Sequence, residues 1–446
     1  MSSMQPRAER AAQARLAAVR LAADGIEGVV FGWVDNAGVT RVKAVPVGQL
    51  EHAAEWGVGA APCFDVFLVD DSSTSSPFSD GPVGDLRLVP DLARLSPLAA
   101  QPGWAWAPAD RYTQDGVPHP GCQRRFARRM TETLERRGLA VRAGIEVEWV
   151  VADAHGDPAA TGPAYGMNRF IELSDYLRDV LKALTAQGLT VLQIHPEYSP
   201  GQFEVSVAAE GPVEAADTVM LIRHTVRGVS ARHGLRTSFA PVVTEGAVGN
   251  GGHLHLSLWR DGQNLGHGGP GPHGLQPEAE AFLAGVLAQL PALLALGAPS
   301  VASYLRLVPS RWAGAYRCWG LENREAALRL ITGSTGAQAN AEIKCFDAAA
   351  NPYLTVGAVL AAGLAGLDLG DPLPPEVTGD PSAPGAAERL PADLPEVLDV
   401  YEKSVLLREA LGAQLFSAVL AVRRAEVELF AGRTPEEIIA ATRWRY

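Results

Sequence analysis

From its N-terminus the chain reads as an alanine-rich, charge-studded stretch, residues 7–23, that predicts a helix ending near Asp24-Gly25. Apolar runs at 29–34 and 41–45 flank the turn Asp35-Asn36-Ala37-Gly38 and predict a hairpin. Residues 70–82 are too rich in Ser, Asp and Pro to form an element, and a further short strand at 86–89 stops at Pro90. Roughly the first hundred residues therefore read as a small α+β unit. The Pro/Gly/Trp stretch 97–120 marks a boundary, which divides the chain into domains 1–107 and 108–446. A long helix over 123–137 follows. Short strands at 145–151, 191–194, 203–207, 237–241, 253–259 and 341–346 then alternate with helices near 170–187, 213–233, 277–296 and 351–367. A Pro-rich surface excursion, 371–396, precedes closing helices near 396–431 and 435–443.

Composition narrows the function classes. The 446 residues are 47% hydrophobic and 20% charged, a globular chain well able to bury a core. Fifty acidic against 38 basic residues, net charge −12, argue against nucleic acid and against docking on an anionic membrane. Four cysteines far apart, with no C-x-x-C pair, read as reduced thiols of a cytoplasmic protein. Arg7, Glu9 and Arg10 interrupt what a signal peptide needs as an apolar core, and the apolar stretch 354–367 is too short to span a bilayer. No Gly-rich phosphate loop of either common pattern is present.

The candidate chemistry lies on short strands. Glu146 and Glu148 alternate with Ile145, Val147 and Trp149, so as a strand they share one face, where two carboxylates repel unless a proton or cation separates them. His253 and His255 share a face behind the glycine turn 249–252, which lets backbone approach a ligand closely. Glu197 and Glu204 flank a Pro-Gly turn, and Glu342 and Lys344 share a strand face. Arg306, Arg324 and Arg329 stand in apolar stretches, where an arginine either pairs with a carboxylate or reads an anion. Clustered carboxylates call for hard divalent cations and clustered arginines for phosphates; together they compose a phosphoryl-transfer site.

The segments GIEVEW, HPEYSPGQFE, GNGGHLHLSL, YLRLVP, ENREAALRL, AEIKCFD and ANPYLTVGAVLAAGL, in this order over nearly the whole chain, resemble the glutamine synthetase superfamily. The resemblance implies an α+β fold: a small N-terminal β-grasp domain and a large catalytic domain with a curved antiparallel sheet flanked by helices. It also implies dodecamers of two stacked hexameric rings with active sites between neighbours. It places Glu148, Glu197 and Glu204 on one metal ion and Glu146, His253 and Glu342 on another, with two to three Mg²⁺ or Mn²⁺ per site. By the same resemblance His255, Arg324 and Arg329 contact ATP phosphates, and Arg306 and Gly249 hold glutamate. Lys344 takes the place of a substrate-binding arginine, keeping charge but losing the bidentate fork. Arg324 and Arg306 would serve the reacting groups, and Asp71, with Asp70 as the alternative, would be lent to the neighbour's active site as the acid that strips a proton from the incoming amine.

Three departures from the family pattern carry the functional reading. Trp312 stands where the ammonium-site glutamate belongs; it takes no proton but can line a wider apolar pocket and attract a cation through its ring. Asn340 replaces an arginine near the ATP phosphates, and Val242 replaces a lysine in the segment 239–242. The expected activity is an ATP-dependent ligase that joins the γ-carboxylate of glutamate to a polyamine or small monoamine through γ-glutamyl phosphate. A synthetase using ammonium, a catalytically silent member of the family and a guanidino kinase remain as alternatives.

Overall fold

The computed structural model describes residues 5–78 and 83–446; the end of the polar loop expected over 70–82 lies outside the described residues. In the N-terminal unit the strands run Thr40–Pro46, Gly28–Val34, Trp104–Tyr112, Leu86–Pro90, Val58–Ala60 across one sheet. Gly28–Val34 pairs antiparallel with Thr40–Pro46, the expected hairpin, and parallel with Trp104–Tyr112. Helices Arg7–Ala23 and Leu50–Trp56 cover one face, burying Ala14, Ala17, Leu21 and Leu50 against Val29, Phe31, Leu88 and Ala105.

Trp104–Tyr112 is the strand that the Pro/Gly/Trp composition concealed. Division at 107/108 falls inside it, because its central pairing is with the distant strand Gly28–Val34 and composition carries no trace of that partner. We propose the boundary between Tyr112 and the helix Gln123–Glu135 instead.

The larger unit holds two sheets. A four-stranded antiparallel sheet orders Arg236–Ser238, Val147–Ala152, Gln202–Val207 and Val191–Pro196. A seven-stranded sheet orders Gln263–Asn264, Leu254–Arg260, Asn340–Ile343, Ala326–Ile331, Tyr316–Leu321 and Glu388–Arg389, with Ala140–Ile145 also pairing Leu254–Arg260. It is antiparallel except between Tyr316–Leu321 and Ala326–Ile331, two strands the hydrophobic pattern did not reveal. The Pro-rich segment lies along that edge: Val377 N–H donates to Trp319 O (3.0 Å) and Trp319 Nε1 to Pro374 O (2.7 Å). It shields an otherwise open strand rather than leaving the surface.

Pro277–Gly297 and Pro352–Leu369 are long and apolar enough to cross a membrane, which corrects the length argument made for 354–367. Yet 78% of each apolar window is buried inside the protein, and both helices belong to the main core with Phe126, Leu294 and Leu354. All four cysteines are unpaired.

One local event positions the site. The stretch 145–151, expected as one strand, breaks at Glu146: Ala140–Ile145 belongs to the seven-stranded sheet and Val147–Ala152 to the four-stranded one. Glu146 is the pivot, and its N–H donates to His253 O at 3.0 Å.

Candidate active site

Cross-strand register builds the site. In the four-stranded sheet Glu148 lies opposite Glu204, and Glu204 opposite His195, so three adjacent strands put these side chains in one row. In the other sheet His255 lies opposite Glu342 and Glu342 opposite Arg329, a second row. The pivot at Glu146 brings the rows together in a cavity of about 680 Å³.

Every residue predicted for metal, phosphate or glutamate lines this cavity: Glu146, Glu148, Glu197, Glu204, His253, Glu342, His255, Arg324, Arg329, Arg306, Gly249 and Lys344. Trp312 lines it too. The grouping differs in detail from the expected ligand sets. Among the described residues, ligand atoms of His195, Glu197 and Glu204 lie within 4.8 Å of one another, as do those of Glu146, His255 and Glu342. Glu148 is turned toward Gln202 Nε2, which donates to its Oε2 at 2.9 Å. His253 sits between the groups: Nδ1 is 2.9 Å from Glu146 Oε2 and 3.2 Å from Glu342 Oε1, and Nε2 is 3.9 Å from Glu148 Oε1.

The electrostatics separate the two rows. Burial, with the charges of Glu204 and Glu197 beside it, pushes the Glu148 carboxyl up to about 8. Burial and Glu204 likewise raise Glu197 to about 6, although Tyr165 Oη donates to its carboxylate at 2.8 and 2.9 Å. A hydrogen bond to Glu204 raises His195 to about 9. On the other side burial opposes ionisation of Glu146, but hydrogen bonds from His253 and His255 win and hold it well below the ordinary carboxylate range. Glu342, buried, is brought down to about 2 by Lys344, His253 and His255. Burial lowers and Glu146 raises His255; the raising wins, at about 9.

Carboxylate oxygens crowded with imidazole nitrogens are the donor set of a hard divalent cation. The crowding that raises Glu148 is relieved by such a charge, so these residues fit one.

The cations are arranged unequally. Arg306 is buried and its Nη2 donates to His253 Nε2 at 3.0 Å, which leaves the imidazole proton on Nδ1, toward Glu146. Arg329 bonds Glu342 Oε2 through Nη1 at 3.1 Å. Lys344 Nζ donates to Glu342 Oε1 at 2.9 Å, so its charge is committed to that carboxylate. Arg324 is exposed and makes no hydrogen bond or ion pair with the described residues. Gly249 is required by space: a Cβ there would stand 1.9 Å from Pro241 O. At Gly251 a Cβ would meet Glu148 Oε1 and His253 Nε2, both at 2.5 Å. The glycine turn thus lets backbone reach the carboxylate, as the sequence suggested.

Asp71 is the predicted residue that this chain does not bring to the cavity. It tops a turn in which Val69 N–H donates to Glu426 Oε1 (3.0 Å), and its carboxylate is held by Arg41 at 2.7 Å and Arg445 at 3.0 Å. The hydrogen bond from Arg41 lowers its pKa. Asp70 caps Ser72 N–H at 3.0 Å. Asn340 does not merely lack an arginine's charge: its Oδ1 accepts from His255 Nδ1 at 2.9 Å. Val242 is buried in the segment under the glycine turn.

Sequence reasoning missed His195, Tyr165, Tyr198 and Gln202. His195 was readable, two residues before Glu197 at the end of the strand Val191–Pro196; the others become visible only in the folded chain.

Residues 120–440 match the family model for the glutamine synthetase catalytic domain. The chain is 55% identical over 442 residues to the gamma-glutamylpolyamine synthetase GlnA3 of Streptomyces coelicolor, covering 96% of this chain and 95% of that protein. It is 30% identical over 426 residues to the glutamine synthetase of Methanocaldococcus jannaschii, covering 91% and 93%. The crystal structure of a glutamine synthase homolog superposes with a TM-score of 0.85 at 34% identity, over 94% of this chain and 99% of that one. An ADP complex of GmaS superposes with a TM-score of 0.84 at 28% identity, over 94% and 96%. The chain belongs to the glutamine synthetase family and is an enzyme of the ligase class. Enzymes of this family use ATP and divalent metals.

Proposed function

We propose that the chain joins the γ-carboxylate of glutamate to a polyamine, with ATP as the second substrate. The observation that carries this is the pair of carboxylate rows meeting at Glu146 in one cavity, in a chain 55% identical to a gamma-glutamylpolyamine synthetase.

Glu148, Glu197 and Glu204, with His195, hold one divalent ion, Mg²⁺ or Mn²⁺; Glu146, His253 and Glu342 hold another. When bound, such ions offset phosphate charge. Arg324, without a partner among the described residues, and Arg329 reach ATP phosphates, and His255 adds a cationic donor. Arg306 and Gly249 position glutamate, with Lys344 close by, so that its γ-carboxylate meets the terminal phosphate. The amine then displaces phosphate. An ammonium or alkylammonium is no nucleophile until a base removes a proton. Asp71 is exposed and ionised outside its own cavity, an arrangement that suits service in a neighbour's site within two stacked hexameric rings. Trp312, 40% exposed at the cavity, occupies the amine side. The four free cysteines fit a reducing, cytoplasmic setting.

The test is phosphate release from ATP with Mg²⁺ and glutamate over a panel of ammonium, putrescine, spermine, ethanolamine and a short alkylamine, with Glu148→Ala as control. Turnover with polyamines well above ammonium is expected. Preference for ammonium would make the chain a glutamine synthetase, and silence on every acceptor despite ATP binding would make it a non-catalytic relative.

A further inference from the structure

One wall of the cavity is aromatic and has no part in the two carboxylate rows. The rings of Tyr198 and Trp312 lie against each other in a tilted pair, with centroids 4.5 Å apart and planes 35° from parallel. Both stay open, Tyr198 at 37% and Trp312 at 40% exposure, and both line the cavity that holds Glu148, Glu197 and Glu204. Trp312 therefore does not pack beneath its loop; it faces the space a substrate enters.

The loop that carries it is held in a costly shape. Ser310 (φ 59°) and Trp312 (φ 52°) both occupy the left-handed region, which a bulky residue adopts only when its surroundings impose it. Here the constraint is Glu325, whose Oε1 accepts the Trp312 N–H at 2.7 Å. Burial raises the carboxyl's pKa, while the backbone N–H groups of Trp312 and Ser310 favour its charged form. Glu325 does not itself line the cavity; it meets the site through the backbone N–H of Trp312 and through its chain neighbour Arg324, which does.

We infer that Tyr198 and Trp312 form one wall that selects the acceptor by the length of its carbon chain, and that Glu325 is the positioning residue that sets this wall. The inference rests on the glutamate–amine ligase reading and deepens it by naming the residues that read the acceptor's methylenes and its second ammonium. Ring faces attract a cation, and two adjoining rings present enough apolar surface to cover methylenes. Ammonium and methylamine are too small to touch both rings while reacting among the carboxylates. An extended diamine can do so.

The measurement is kcat and KM for methylamine and spermidine in the wild type and in Tyr198→Ala, Tyr198→Phe, Trp312→Ala, Glu325→Ala and Glu325→Gln. Tyr198→Ala and Trp312→Ala should raise the spermidine KM about tenfold or more and the methylamine KM by less than about twofold, while Tyr198→Phe keeps the ring and the wild-type ratio of the two KM values. Glu325→Ala should reproduce the Trp312→Ala effect on KM, and the double variant should be no worse than Trp312→Ala alone. Glu325→Gln retains an oxygen for the Trp312 N–H and should stay within about twofold of wild type. Equal shifts for both amines, or a Gln variant as impaired as the Ala variant, would overturn the inference while leaving the ligase reading intact. A wild type that releases no phosphate with any amine would instead remove the ligase reading and this inference with it.

Discussion

Asn340 Oδ1 accepts the proton of His255 Nδ1 at 2.9 Å, so the amide fixes the imidazole's orientation in the row that also contains Glu342 and Arg329. A position that looked like a simple loss of positive charge is therefore a hydrogen-bond partner of a candidate phosphate ligand. Asn340→Ala should leave Nδ1 without its acceptor, a cost of about 1 kcal/mol or more. The KM for ATP is expected to rise about five- to tenfold, measured by ATP titration at saturating glutamate and amine, with a smaller change in the KM for the amine.

Glu148 illustrates a residue whose functional value opposes its structural comfort. Its carboxyl is raised to about 8 by burial and by Glu204 and Glu197. Glu148→Gln should lower turnover by about 100-fold or more. In chelator-treated protein the same variant should be more stable at pH 8, by roughly 2 °C in Tm, because it removes one of three crowded carboxylates. Calorimetric scans with and without Mg²⁺ check both signs.

Four raised groups at the cavity contribute to the pH dependence of the metal-free protein with one sign. Glu148 (about 8) and Glu197 (about 6) lie above their unfolded values, as do His195 and His255 (both about 9). The folded state therefore keeps protons that the unfolded chain has released, and stability falls as pH rises through these values. For the carboxyls the loss begins above their unfolded pKa, near 4.5; for the histidines it begins near 6.5. In EDTA the Tm should decline between pH 6 and 9. Metal binding displaces the carboxyl protons, so Mg²⁺ should flatten the profile and release protons on binding, measured by titration calorimetry in buffers of different ionisation enthalpy. A Tm that rises over this interval without metal would contradict the assignment.

Asp71 offers a separation of fold from function. Its carboxylate is half-exposed and clamped by Arg41 and Arg445. Exposed ion pairs contribute less than about 1 kcal/mol each, so Asp71→Asn should change Tm little. If a neighbour's site uses this carboxylate, kcat with amines should fall by about 100-fold or more at unchanged oligomer size, read by light scattering. Unchanged kcat would leave Asp71 with only its clamp.

Gly249→Ala places a Cβ 1.9 Å from Pro241 O, so backbone must move beside Arg306. A loss of about 1–3 kcal/mol in stability is expected, together with a raised KM for glutamate. Denaturant titration and glutamate saturation curves report the two effects independently.

How far the sequence could be read depended on the range of the interaction. The helix Arg7–Ala23, the hairpin at Gly28–Val34 and the apolar helices Pro277–Gly297 and Pro352–Leu369 were legible because period and turn chemistry act over a few residues. The residues of the site were legible from motif order, since glutamates, histidines and arginines at those spacings are costly without a ligand. Trp104–Tyr112 and the strands from Tyr316 to Ile331 were not legible, because their pairing partners lie far away or in a short apolar context shared with loops.

Amino-acid order alone thus determined which side chains are available: five carboxylates, three imidazoles, the arginines and the tryptophan that face the cavity. It also determined that Glu146 and Glu148 sit two apart. Motif resemblance already assigned them to different ions; only the tertiary structure decided how the chain parts them. The chain changes sheet at Glu146, and register in each sheet then chooses the neighbours: Glu204 and His195 for Glu148, and the His253, His255 and Glu342 group for Glu146. The physical reason is that alternation along a strand is a local property, whereas which sheet a strand joins is settled by hydrogen-bond partners supplied from more than fifty residues away.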